Sequence, residues 1–406
     1  QDMLTAMLNM RTQHYQVDDA QTQGFAALII LWNVFQHFYP RPLDGWDEQL
    51  RQGLHHMLER QFSIEQVLRL MVTRLKDDAA RVRLHRTRDD DADKFAPPFV
   101  WAYLDDQVVI TRIVNHDGHD LQVGDKVEMI DGVPVETLIE AALPFISGTL
   151  LEHRRRDALR HLWRGAYGSH LGVDVRRDGV LHYQRVARDL HSGQIRDRDE
   201  SGTGEVITEF DDGIVYLDLA RLQAQHLLRA ISRLEAARGL ILDARRVAHT
   251  NMSALDLLTA HLIEAPVNLL PLHIPKVYQP DRQRFLLQSL PAKTLEPQQP
   301  HLKMPVAAVV DHHSRGRVEH YLHLWQDTQR AVLIGQPSAG TLGSTDLFTI
   351  LDTYDISWTV TRAEIDHPSH FTGVLPDIPC ERTREGIQSG QDELLERALV
   401  WMRDAQ

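Results

Sequence analysis

The sequence predicts a multi-domain chain, α+β overall, whose C-terminal half is a layered α/β unit. Three observations lead there. Residues 21–85 carry apolar positions at helical spacing. Residues 99–188 alternate strand-like runs with turn signals. Beyond residue 206, short β-branched runs alternate with amphipathic stretches, the pattern of helices laid on a mostly parallel sheet. The 406 residues suffice for two or three buried cores. Expected boundaries are 1–88 for a helical domain, 97–190 for a β-rich domain, 191–205 for a linker and 206–406 for the α/β core.

In the helical block, FAALIILWNVFQHFY, DEQLRQGLHHMLERQ and SIEQVLRLMVTRLK each read as a helix. Ser63 followed by Gln66 forms a capping-box signature for the third. The acidic run 89–93 with Pro97-Pro98 reads as a solvated joint. In the second block WAYLDD, QVVITRIV and VRRDGVLHYQRVA read as strands. Gly124-Asp125 turns into strand KVEMI, Asp131-Gly132 makes a hairpin, and VETLIEAA starts a helix. The polar stretch 191–205 is expected to be exposed. The last block runs GIVYLDLA, AQHLLRAISRLEAA, GLILDARR, SALDLLTAHLIE, PVAAVVD, VEHYLHLWQ and AVLIGQ, strand and helix by turns.

A formal net charge of −13 argues against a nucleic-acid backbone as partner. A single cysteine, Cys380, excludes an intrachain disulfide framework. The longest apolar run, 25–35, falls short of the roughly 18 residues a membrane helix needs, so no integral membrane segment is expected. His116 with His119, and His367 with His370, offer two metal ligands each and no third at fixed spacing. No metal and no cofactor is expected.

The order PVAAVVDHHSRGRVEHYLHLW, RAVLIGQPSAGTLG and GVLPDIPCERTREGIQSGQDELLERALVWM resembles the catalytic core of the C-terminal-processing, or tail-specific, serine peptidases, whose relatives include the tricorn core. Residues 121–142 resemble the PDZ-like module of the same family. The resemblance implies a helical domain, a PDZ-like domain and a crotonase-like α/β peptidase core. It also implies export, hence a periplasmic or secreted location.

The family's nucleophile opens a helix as Ser-x-x-Glu. Here the glutamate is Glu319, and Gly316 stands in the serine's place. The tail-specific branch draws its base, a lysine, from the loop after the next strand, where Thr341 stands. The tricorn-like branch uses a histidine in an Asp-Gly-His motif; here those last two positions are Asp78 and Ala79. The family's glycine-rich oxyanion run Asp-Leu-Arg-Gly-Asn-x-Gly-Gly has become Asp243-Ala244-Arg245-Arg246-Val247-Ala248-His249-Thr250. Glycine cannot attack a carbonyl, and neither alanine nor threonine is a base near neutral pH. Ala79, Gly316 and Thr341 are therefore expected to be vestigial.

The expected function is binding a peptide or protein tail without hydrolysis. The groove would be lined by Arg245, Arg246, His249, Asp311, His312, Ser314, Glu319, Ser338 and Gly340, with the two arginines making one side basic. Ser314, next to His312 and His313, is the alternative nucleophile; its ordinary reading is a helix cap. A hydrolase with relocated residues and a structural subunit of an assembly stand as alternatives.

Overall fold

The structure is a computed structural model that describes residues 20–85, 94–195, 204–247, 252–277, 286–363 and 372–405. The α/β unit is built on a six-stranded sheet in the order Ile207–Glu209, Ile214–Asp218, Gly239–Asp243, Val306–Val310, Val332–Gly335, Ile378–Pro379. The first pair is antiparallel and the rest are parallel. The strand pleat divides each apolar run between two faces. Leu240, Leu242, Val306, Ala308 and Val310 face the helices Ala224–Ala236, Met252–Leu262 and Val318–Asp327. Ile241, Ala307 and Val309 face the helix Glu393–Asp404. Burial on both sides is why these strands read as unbroken hydrophobic runs.

The second unit is an antiparallel sheet ordered Phe99–Leu104, Gln107–Ile113, Lys126–Ile130, His170–Arg177, Val180–Ala187. The Asp131-Gly132 hairpin forms, with both residues at positive φ of 48° and 78°. The helix Val135–Ala142 follows it. A further helix, Leu151–Trp163, packs Ala158, Leu159 and Trp163 into this core. The segments expected to be solvated are not wholly so. Pro97 and Pro98 are buried, and Ile195 is a buried member of the second core. Residues 89–93 and 196–203 lie outside the described residues.

The helices Ala20–Phe38, Trp46–Leu58 and Ile64–Thr73 form the third core, and the Ser63–Gln66 capping box is made reciprocally. That core is completed by chain from far downstream. The strands Thr345–Ile350 and Tyr354–Thr359 form a hairpin, and Arg81–Leu84 pairs with the second of them. The Trp358 ring stands edge-on to Phe35 at 5.6 Å and to Phe348 at 5.1 Å, with no solvent access to Phe35. Asp77 accepts from the Thr359 backbone N–H and hydroxyl, fastening segment 77–79 to the same strand. No helix among the described residues is long and apolar enough to cross a membrane.

Because this core is shared, Trp358→Ala is expected to lower stability by about 3–5 kcal/mol, the usual cost of emptying a large aromatic site. Residues 20–85 expressed alone should show no cooperative urea transition by circular dichroism. A stable isolated fragment would mean that the hairpin is dispensable to the helices.

Candidate functional site

In open parallel sheets, functional loops collect at the carboxyl ends of the strands. Here Asp218, Asp243 and Asp311 close three adjacent strands or open the loops after them. Gly335 ends the next at φ 129°, where a Cβ would stand 2.1 Å from the Val310 carbonyl oxygen, so no other residue fits.

After Val310 the chain makes a tight turn. The Ser314 hydroxyl donates to the Ala244 carbonyl at 2.9 Å and accepts from the Asp311 N–H, and Ser314 has no solvent access. It is thus neither an open nucleophile nor the cap of a helix at residue 315. The helix begins at Val318, with Arg317 at its N-cap, and Ser314 instead ties two strand ends together. Asp311 is buried and accepts from the His313 N–H.

Glu319 gathers the surrounding loops. Its carboxylate is fully buried and accepts from the Ser338 hydroxyl, the Gly340 N–H, the Thr341 N–H and hydroxyl, and the Gly316 N–H. Burial pushes its pKa above the ordinary glutamate value, while these donors pull it back. The Gly316 N–H also meets the Thr341 hydroxyl at 2.9 Å. Gly316 sits at φ +73° with open space where a Cβ would point. Ala79 approaches from the third core, held by Ser357 donating to its carbonyl. Ala79, Gly316 and Thr341 thereby share one cavity of about 550 Å³, together with Asp78, Arg81, Val247, Arg315, Arg317, Ser344 and Ser357. Burial and the cations of Arg81 and Arg156 lower the Arg315 pKa.

The two arginines expected to make the groove basic do not do so. Arg245 is clamped between Asp243 and Asp392, with contacts of 2.7–3.0 Å. Arg246 pairs with Asp243 and, at 3.7 Å, with Asp218. Asp243 is fully buried and also accepts from the Tyr216 hydroxyl. Burial opposes its charge, but the Arg245 guanidinium holds its carboxyl below the ordinary value. Arg246 adopts φ +66°, the left-handed conformation that a glycine would take freely. His249 lies outside the described residues. Ser338 and Gly340 are buried beneath the cavity as partners of Glu319 rather than along its wall. Arg81, Arg315 and Arg317 are the cavity's own cations, and of these Arg81 is paired with Asp157.

His312 and His313 do not serve Ser314. The fold sets His312 beside His153, ring centroids 6.0 Å apart, and brings it to 4.1 Å from His313 with the two rings tilted by 43°. Among the described residues, Asp311, His312 and His313 bring potential metal-ligating atoms within 4.8 Å of one another. Helix Leu151–Trp163, which carries His153, escapes a reading by periodicity because its arginines mask the apolar face. His116 and His119 stand with rings 6.0 Å apart, and His367 and His370 lie outside the described residues.

These features define a layered α/β unit whose loops gather at the carboxyl ends of its parallel strands. Residues 207–380 match the model described as "Peptidase family S41". The fold of the chain is similar to that of mature CPAF complexed with lactacystin, at 14% identity and TM-score 0.76, over 95% of this chain and 99% of that one. A second structure of mature CPAF aligns at 14% identity and TM-score 0.73, over 93% and 96%. The photosystem II D1 C-terminal processing protease is a weaker likeness, with 14% identity, TM-score 0.47, and coverage of 88% and 92%. No curated protein matches the sequence.

Glu319→Ala would leave donors from two segments, residue 316 and the loop 338–341, without an acceptor in a buried place. The expected loss is at least about 3 kcal/mol, against about 1 kcal/mol for Ser338→Ala. Equilibrium denaturation of both variants checks this, and similar losses for the two would demote Glu319 from its central place.

Proposed function

We propose that this chain is an S41-family member that holds an extended peptide or protein tail at the Ala79–Gly316–Thr341 cavity and does not hydrolyse it. One observation carries the reading. The three positions at which the family places nucleophile and base meet around a single cavity, and their side chains supply neither. A cavity of this volume lies within the range of ligand sites. Among the described residues, the strand Thr345–Ile350 is the outer strand of its sheet, and Thr345, at the cavity, is followed by exposed Asp346 and Leu347. An open strand edge beside a cavity suits an added peptide strand. The PDZ-like reading of residues 97–190 offers a second such surface. The half-buried Arg315 and exposed Arg317 favour an acidic segment or a free C-terminal carboxylate. A periplasmic or secreted location belongs to the same proposal and rests on the family resemblance. The burial of Ser314 weighs against a relocated serine mechanism.

Wild-type protein is expected to leave casein and unstructured peptides intact and to take up no fluorophosphonate probe. Gly316→Ser should fold, since space for the side chain exists, at a cost of about 1–2 kcal/mol for the left-handed backbone. It should not restore turnover, even with Thr341→Lys, because the base and the oxyanion donors contribute separately. Stoichiometric labelling of the wild type, or cleavage by the single variant, would sink this part of the reading.

Peptides ending in an acidic residue should bind in the micromolar range, as expected of a short segment with few anchors. Arg315→Ala with Arg317→Ala should weaken that binding about tenfold, roughly the effect of losing charge-assisted contacts. Titration calorimetry would decide it. If no peptide from an array of varied C-termini binds, the structural-subunit reading takes over.

A further inference from the structure

We infer that Asp311, His312 and His313, seated against His153, form a binding site for a divalent transition-metal ion of the zinc class. The site stands whether or not the cavity holds a peptide. Two imidazoles and a carboxylate converge within 4.8 Å. The Asp311 backbone is pinned by the Ser314 hydroxyl, and one of its carboxylate oxygens already holds the His313 N–H, so the turn is formed without an ion. His313 is exposed and opens the site to solvent.

His153 adds an observation independent of that cluster. It is 1% exposed, and neither of its ring nitrogens makes a hydrogen bond. Its nearest acid is Asp78, whose Oδ2 stands 3.5 Å from Nδ1 and is itself unbonded, as is Nη2 of Arg156 beside it. Asp78 Oδ2 has only these long ion-pair contacts, and His153 Nε2 has no hydrogen-bond partner at all, so the buried imidazole is left with a nitrogen that calls for a ligand or an ion. Imidazoles bound to one tetrahedral ion stand with ring centres about 5 Å apart, given metal–nitrogen distances near 2 Å. The 6.0 Å between His153 and His312 is one small side-chain adjustment away. Asp78 would then accept from Nδ1–H of His153, the carboxylate partner that metal-bound histidines commonly have.

The donor set selects the metal. Three imidazoles and a single carboxylate suit zinc or cobalt rather than calcium or magnesium, which demand oxygen. The Arg156 guanidinium, bonded to the His312 carbonyl, keeps the site from being strongly anionic. Affinity must therefore come from nitrogen ligation rather than from charge. An ion here would fasten the 311–317 loop, with Arg315 and Gly316, to helix Leu151–Trp163.

The test is calorimetric titration of metal-free full chain with zinc chloride, with cobalt chloride added for its visible absorption bands. One equivalent should bind at about 1 μM or tighter, on the scale where each tenfold is about 1.4 kcal/mol. Tetrahedral cobalt bands should develop and the melting temperature should rise. His313→Ala alters an exposed residue, so its fold should survive; it and His312→Gln should each weaken binding at least tenfold. His153→Gln should weaken it and shift the cobalt spectrum. His116→Ala with His119→Ala should change nothing. Absence of zinc binding by the wild type would overturn the inference, as would binding that survives both His312→Gln and His313→Ala.

Discussion

A charged carboxylate taken out of water must be surrounded by donors or cations, and the architecture of this protein's centre comes from meeting that requirement twice. Glu319 draws its donors from residues 316, 338, 340 and 341. Asp243 draws on Arg245, Arg246 and Tyr216, and through Arg245 on Asp392 of the last helix. These two hubs fix the loops at the carboxyl ends of the parallel strands. Removing either would leave several buried polar groups stranded together, so the frame persists whatever stands at position 316.

The same requirement operates between the units. Asp157, on helix Leu151–Trp163, is buried among Arg81, Arg156 and Arg160. Burial opposes its charge, yet the cations hold its carboxyl far below the ordinary range. The arginines feel the crowding in return: burial pushes the Arg160 guanidinium down to about 9, with Arg164 and Arg156 adding to the shift. Arg81 reaches from the third core to pair with this acid, and Arg156 reaches from the second to the His312 carbonyl. Cavity, histidine cluster and inter-unit contact are therefore one electrostatic neighbourhood, in which a change of charge at one member is felt by the rest.

Arg246 carries a side chain in a left-handed backbone conformation. A left-handed residue with a Cβ costs about 1–2 kcal/mol. The Asp243 and Asp218 contacts of its side chain offset that cost, and position 246 holds a conformation that glycine would take freely.

Local rules decided much of this protein. Period-two and period-3.6 patterning placed the strands and helices of the α/β unit, the Ser63 capping box and the Asp131-Gly132 hairpin, because each depends on residues a few positions apart. The positions Ala79, Gly316 and Thr341, which line one cavity, were picked out by the family resemblance rather than by local patterning. Only the tertiary structure decided the rest. It buried Ser314 under Ala244, neutralised Arg245 with Asp392, moved hairpin 345–359 into the helical core and set His153 against His312. Each of these joins residues up to some hundreds of positions apart, and no periodicity records such a meeting. Charge in a sequence is a property of a residue; whether it faces a ligand or a buried partner is a property of the fold.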